Sequence, residues 1–211
     1  MINLTFRTTA ILILLLTACS VNPNKKPPKE SDGEGEQINM QIFVAPNANL
    51  NILGQPAPIR VDFYQLSAGG AFGQAGFSDL IQQPEAVLGE KLIQRDQYIF
   101  YPDTITVLPT KLDSNLRYFG AIASYRNLEN KQWRITLLKQ ERPWYRFRKN
   151  YLYLYITNTG VQQLSREEMH EKLQEYQERH PNDRNIRNGK AYPEQNNWDK
   201  GIFRQIQSLR N

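Results

Sequence analysis

Tyr151-Leu-Tyr-Leu-Tyr-Ile-Thr157 alternates without a break, with tyrosines at 151, 153 and 155 and aliphatic residues at 152, 154 and 156. A period of two sends successive side chains to opposite faces of an extended chain, so this run predicts a strand with one face in a core and the other an amphipathic surface. Upstream, short apolar or alternating runs separated by turn residues predict further strands at Ile38–Ala45, Ile59–Leu66, Tyr98–Tyr101, Thr104–Leu108, Tyr118–Tyr125 and Trp133–Lys139. Asn127-Leu-Glu-Asn130, between two of these runs, reads as a tight hairpin connection. Many short strands with regular turns make the fold mainly β, a sandwich or barrel.

Two stretches break this pattern. Phe72, Ala75 or Gly76, Phe77 and Leu80 recur at three- and four-residue intervals, which predicts a short helix over Phe72–Ile81 that Pro84 stops. After the last strand, Ser165 and Glu168 form a capping box, Leu164 and Met169 a hydrophobic staple, and Met169, Leu173 and Tyr176 an apolar stripe that runs until Pro181. This helix is expected to lay its narrow apolar side on the sandwich, with service to a partner as the alternative. Residues 182–211 are polar and weakly periodic and are expected to be flexible unless bound.

The front of the chain has a different character. A polar start with Arg7 leads into Ala10-Ile-Leu-Ile-Leu-Leu-Leu16, too short for a bilayer span of about 20 residues but long enough for the core of an export signal. Leu16-Thr17-Ala18-Cys19-Ser20 follows and resembles a bacterial lipobox. Cys19 is the only cysteine, so an exported domain has no internal disulfide, and its thiol can carry a thioether-linked lipid. Residues 20–37, rich in Pro, Gly and charge, form a flexible tether that reaches roughly 20–25 Å. The chain thus divides into a lipoprotein signal peptide at 1–18, the lipidated cysteine and tether at 19–37, a β-sandwich at 38–164, and a C-terminal helix with polar tail at 165–211. Its net charge of +5 is modest, and the signal removes only Arg7 from that balance.

Three stretches together carry a resemblance. They are Leu50-Asn-Ile-Leu-Gly54-Gln-Pro-Ala-Pro58 running into a strand that ends Tyr64-Gln65-Leu66, then Phe72-x-x-Ala75-x-Phe77-x-x-Leu80, then Leu88-Gly89-x-x-Leu92. Tyr118–Arg126 and Trp133-Arg134 continue the series. Behind a lipobox, this order resembles the type VI secretion system outer-membrane lipoprotein family, TssJ or SciN, over roughly residues 16–157. The resemblance implies a transthyretin-like β-sandwich with helical additions and a non-catalytic role. It implies an outer-membrane anchor facing the periplasm, which Ser20 after the lipidated residue permits. The implied partner is the periplasmic domain of TssM, within the TssJ-TssL-TssM complex, and the implied contact is the loop between the first two strands, with Asn49, Leu50, Asn51, Ile52, Leu53, Gly54 and Gln55 at its centre. By composition alone, Leu50, Ile52 and Leu53 could equally fold back over the sandwich edge.

No catalytic or metal-binding set is readable, and no cofactor is expected beyond the covalent lipid on Cys19. His170 and His180 lie ten residues apart on the late helix, about 15 Å along its axis at 1.5 Å per residue, so they form no shared metal site and both read as solvated. Asp62, Asp79, Asp96 and Asp103 are scattered. Arg142-Pro-Trp144-Tyr145-Arg146-Phe147-Arg148-Lys149 interleaves bases with aromatics, a pattern that can bind nucleic acid. An exported address argues against nucleic acid, which leaves either a hairpin crossover with inward aromatics or a periplasm-facing glycan or small-ligand site.

Overall fold

A computed structural model describes residues 36–139, 151–183, 186–187 and 190–191. One sheet takes the order β4 (Thr104–Lys111), β1 (Gln37–Val44), β7 (Tyr151–Ile156) and β8 (Val161–Leu164). The other takes the order β3 (Leu92–Phe100), β2 (Ile59–Leu66), β5 (Tyr118–Ser124) and β6 (Arg134–Leu138), all antiparallel. Within the first sheet β1 is central, antiparallel to β4 and parallel to β7. Alternation sends Met40, Ile42, Leu154 and Ile156 inward from this sheet to meet Val61, Phe63, Ala121 and Ala123 from the other, and these residues are the heart of the core. The sandwich is the architecture that the resemblance implies.

At one margin the sheets are stitched together. Gln132 and Gly160 form a parallel bridge: the Gln132 N–H donates to Thr159 O at 3.0 Å and the Val161 N–H to Gln132 O at 2.9 Å. A Cβ on Gly160 would fall 2.8 Å from the Gln132 carbonyl oxygen, so only glycine allows the strands this close.

Both outer faces are covered by helices. Over the second sheet, α1 (Gly70–Gln74), α2 (Phe77–Gln82) and α3 (Pro84–Leu88) press Phe72, Leu80 and Leu88 onto Tyr64, Leu66 and Ile122. Gly120 makes room for this, since a Cβ there would lie 2.5 Å from the tip of the Phe72 ring. Over the first sheet, α4 (Arg166–Arg179) lays Met169, Leu173 and Tyr176 on Phe43 and Val107. Its capping box is formed, with the Glu168 N–H donating to Ser165 Oγ at 3.1 Å and the Ser165 N–H to Glu168 Oε2 at 2.7 Å. Tyr153 and Tyr155 therefore lie under a helix; their face of β7 is a second packed surface.

Three expectations need correction. The helix over Phe72–Ile81 is two helices broken at Ala75-Gly76, and Pro84 does not end the helical region: it opens α3 at a first-turn position, where a missing N–H costs nothing. β3 starts at Leu92, six residues earlier than Tyr98. β8 has only Val161 and Leu164 buried, too few to show as a periodic run. Beyond α4, a short ribbon pairs β9 (Ile186–Arg187) with β10 (Lys190–Ala191), and Ile186 is buried among the α4 contacts. Among the described residues no helix is long and apolar enough to cross a membrane.

Candidate docking surface

The loop from Pro46 to Pro58 joins β1 to β2, and its shape comes from its asparagines. The Ala45 N–H extends the β1 ladder by donating to Ile156 O at 2.8 Å, and the Ala48 N–H then turns back to Ala45 O at 3.1 Å. Asn49 follows with φ at +49°, a left-handed conformation that asparagine tolerates better than most residues. At the tip, Asn51 Oδ1 accepts from the N–H groups of Leu53 and Gln55, both at 2.9 Å. The Asn51 N–H donates to Gln55 O at 2.8 Å and the Gly54 N–H to Asn51 O at 2.9 Å, with Gly54 at φ +72°.

This knot bonds the N–H groups of Asn51, Leu53, Gly54 and Gln55 from within and leaves the Ile52 and Leu53 side chains outside. Ile52 is 101% exposed and Leu53 74%. Neither folds back over the sandwich. Leu50 and Asn51 are half-buried, Gly54 and Gln55 are exposed, and Asn49 is buried. Fully covering an isoleucine or a leucine contributes about 1.5–3 kcal/mol each, so the tip keeps a substantial hydrophobic gain in reserve for whatever covers it.

Other elements converge on the same end of the sandwich. The pairing of Ile59 with Phe100 sets Tyr101, itself 60% exposed, beside the loop's exit at Pro58. Tyr101 was not singled out from sequence, because an aromatic at a strand end ordinarily belongs to the core. In the adjoining turn, the Asp103 N–H donates to Ala45 O at 3.4 Å. The Asp103 carboxylate meets His180 Nε2 at 2.7 Å and Arg179 Nη2 at 3.0 Å, which ties the end of α4 to the root of the loop. Burial pushes the Asp103 pKa up, but hydrogen bonds from His180 and Arg179 outweigh it and hold the carboxyl below the ordinary value.

His180 is therefore not a solvated residue as expected. Its ring also packs on Tyr176, with centroids 4.4 Å apart, whereas His170 is exposed. The two histidines share no site, and no cluster of metal-ligating side chains occurs among the described residues. The aspartates are put to structural use: Asp62 is fully buried and holds Arg60 Nε at 2.9 Å and Arg95 Nη2 at 2.7 Å. Cys19, most of the tether and the Arg142–Lys149 segment lie outside the described residues.

Residues 36–158 match the type VI secretion lipoproteins grouped as VasD, EvfM and TssJ. The chain belongs to this family. Among solved structures, the type VI lipoprotein TssJ1 of Pseudomonas aeruginosa is 26% identical, covers 63% of this chain and 97% of its own, and superposes with a TM-score of 0.57. Serratia marcescens Lip, a membrane-bound component of the type VI secretion system, is also 26% identical, with 63% and 98% covered and a TM-score of 0.58. A chain of a type VI membrane complex, 18% identical with a TM-score of 0.55 over 63% of this chain and all of its own, shares the fold. A comparison with curated protein sequences finds no match. The family is a lipoprotein component of a secretion machine rather than a class of enzyme. The matched region contains the whole Pro46–Pro58 loop and stops before β8 and α4, so the Asp103 clamp joins a residue inside the match to a partner outside it.

Proposed function

We propose that this lipoprotein anchors the envelope-spanning complex of a type VI secretion system by binding the periplasmic domain of TssM with the Pro46–Pro58 loop. A lipid on Cys19 holds it to the outer membrane, facing the periplasm. The observation that carries this reading is the exposure of Ile52 and Leu53 on a loop tip already braced by internal bonds from the Asn51, Leu53, Gly54 and Gln55 N–H groups. An apolar tip on an ordered support is what a protein contact needs, because little ordering is left to be done on binding. Confinement of both proteins to the envelope raises their effective concentration, so a modest interface is enough for assembly.

The test is binding between residues 20–211 and the periplasmic part of TssM, measured by calorimetry. Micromolar or tighter binding is expected, and the paired change Ile52→Ser with Leu53→Ser should weaken it by about a hundredfold, since each lost apolar contact contributes about 1.5 kcal/mol or more. The melting temperature should not fall, because neither side chain packs on the fold. Affinity unchanged by the pair moves the interface elsewhere, and an absence of binding by the folded wild type ends the TssM reading. Changing Cys19 to serine should release the protein from the membrane fraction.

A further inference from the structure

The return leg of the docking loop contains two prolines, Pro56 and Pro58, neither of which has an N–H to offer. The two legs therefore cannot zip together as an ordinary hairpin. Between them run only the Asn51–Gln55 bonds at the tip and a long bond of 3.4 Å from the Ala57 N–H to Ala48 O near the base. The Asn49 side chain supplies the bond that is missing. Its Nδ2 donates to Pro58 O at 2.6 Å, and its Oδ1 accepts from the Arg126 N–H at 2.8 Å.

Arg126 follows β5, in the sheet opposite the one that contains β1. One buried amide thus joins the outgoing leg, the returning leg and the far sheet. We infer that Asn49 is a positioning residue for docking: it makes no contact with the partner, and it sets the posture of the Ile52–Leu53 tip by clasping the loop's two legs to the β5–β6 connection. This rests on the docking reading above and takes Asn49 out of the contact surface that the family resemblance implied for it.

Other side chains cannot take over the role. Leucine or alanine would be strained at φ +49° and would leave Pro58 O and the Arg126 N–H without their partner. Glycine accepts the backbone but offers neither bond. Aspartate keeps the acceptor for Arg126 and loses the donor to Pro58.

The experiment uses the full chain in detergent, with Asn49→Gly and Asn49→Asp. Amide exchange is followed at Gln55, Ala57 and Arg126 in the loop and its support, and at Ile42 and Phe43 in β1. Affinity for the periplasmic part of TssM is measured in parallel. Asn49→Gly should speed exchange at the loop amides about tenfold or more while β1 exchanges as before, and should weaken binding about tenfold by making the partner order the loop. In the Ile52→Ser, Leu53→Ser background the same change should add nothing further. Asn49→Asp should loosen Ala57 and leave Arg126 protected, and it decides the matter if the glycine variant does not fold.

Unchanged loop exchange overturns the proposal. So does an equal loss of affinity in both backgrounds, which would mean that Asn49 touches the partner itself or acts through the fold at large. If the unaltered chain fails to bind TssM, the docking reading falls on that result, and the exchange measurement still decides whether Asn49 orders the loop.

Discussion

The two sheets are roofed by helices in different ways. Over the β3–β2–β5–β6 sheet, α1, α2 and α3 have five, six and five residues, far below the length at which a helix is stable alone. Side chains rising from the sheet hold them by their carbonyls. Arg134 donates to Phe72 O at 2.7 Å and Ala75 O at 2.8 Å, and also to Gly73 O; Tyr64 Oη donates to Leu80 O at 2.7 Å; Arg95 donates to Ile81 O at 3.1 Å. Asp62 beneath them balances Arg95 and Arg60. Over the other sheet, α4 has 14 residues, a capped start and one apolar stripe, with its charged contacts at the rim. A short helix has to be pinned from below, whereas a long amphipathic one can rest on its stripe. The first roof lies within the family match, and the second lies beyond its end.

The contrast is broken most directly at Asp62. Asp62→Ala leaves two arginines facing a buried vacancy and should cost about 3–5 kcal/mol in urea denaturation. A loss below about 1 kcal/mol would mean that the short helices stand without their pins. On the other roof, Leu173→Ala should cost about 2–3 kcal/mol as a truncation that leaves a cavity under one helix, while affinity for TssM stays as it was. Lost affinity there would show that α4 also belongs to the docking surface.

Smaller effects sharpen the same difference. Ser165→Ala removes the cap of α4 and should lower stability by about 1 kcal/mol, readable as a modest fall in melting temperature. Last comes the Asp103 clamp. Its carboxyl is held below the ordinary value of 3.8, so its contribution is present above that pH and is lost as the pH falls through the lower folded value. The stability gap between wild type and Asp103→Asn should therefore be open at pH 6 and close on acidification well below 3.8. A gap that persists in strong acid would refute the charge clamp.

The sandwich was readable because β1, β2, β5 and β7 contribute to a shared interior and so had to alternate or run apolar. β3 was seen only at its end, since Gln94, Arg95, Asp96 and Gln97 look like a loop until Asp62 is known to lie beside Arg95. Sequence spacing could not show that pairing across 33 residues. In the Pro46–Pro58 loop, the apolar triplet and Gly54 were conspicuous, but Asn49 and Asn51 look alike as letters. One is buried and binds the scaffold, the other shapes the tip, and only the fold separates the two roles. His180 was misjudged for the same reason, because its partner Asp103 is 77 residues away.

β1 begins at Gln37, where the preceding chain enters, and ends at the root of the Pro46–Pro58 loop, eight residues and about 25 Å later at roughly 3.3 Å per residue. Under the proposed anchoring by Cys19 and docking by Ile52 and Leu53, a pull between the two would be directed along this strand. Its hydrogen bonds to β4 and β7 lie across that line, so they are loaded together in shear rather than opened one after another. The same sandwich pulled from the edge strand β8 would unzip bond by bond. A secretion machine that strains against its envelope would thus load a strand whose two ladders resist as a unit.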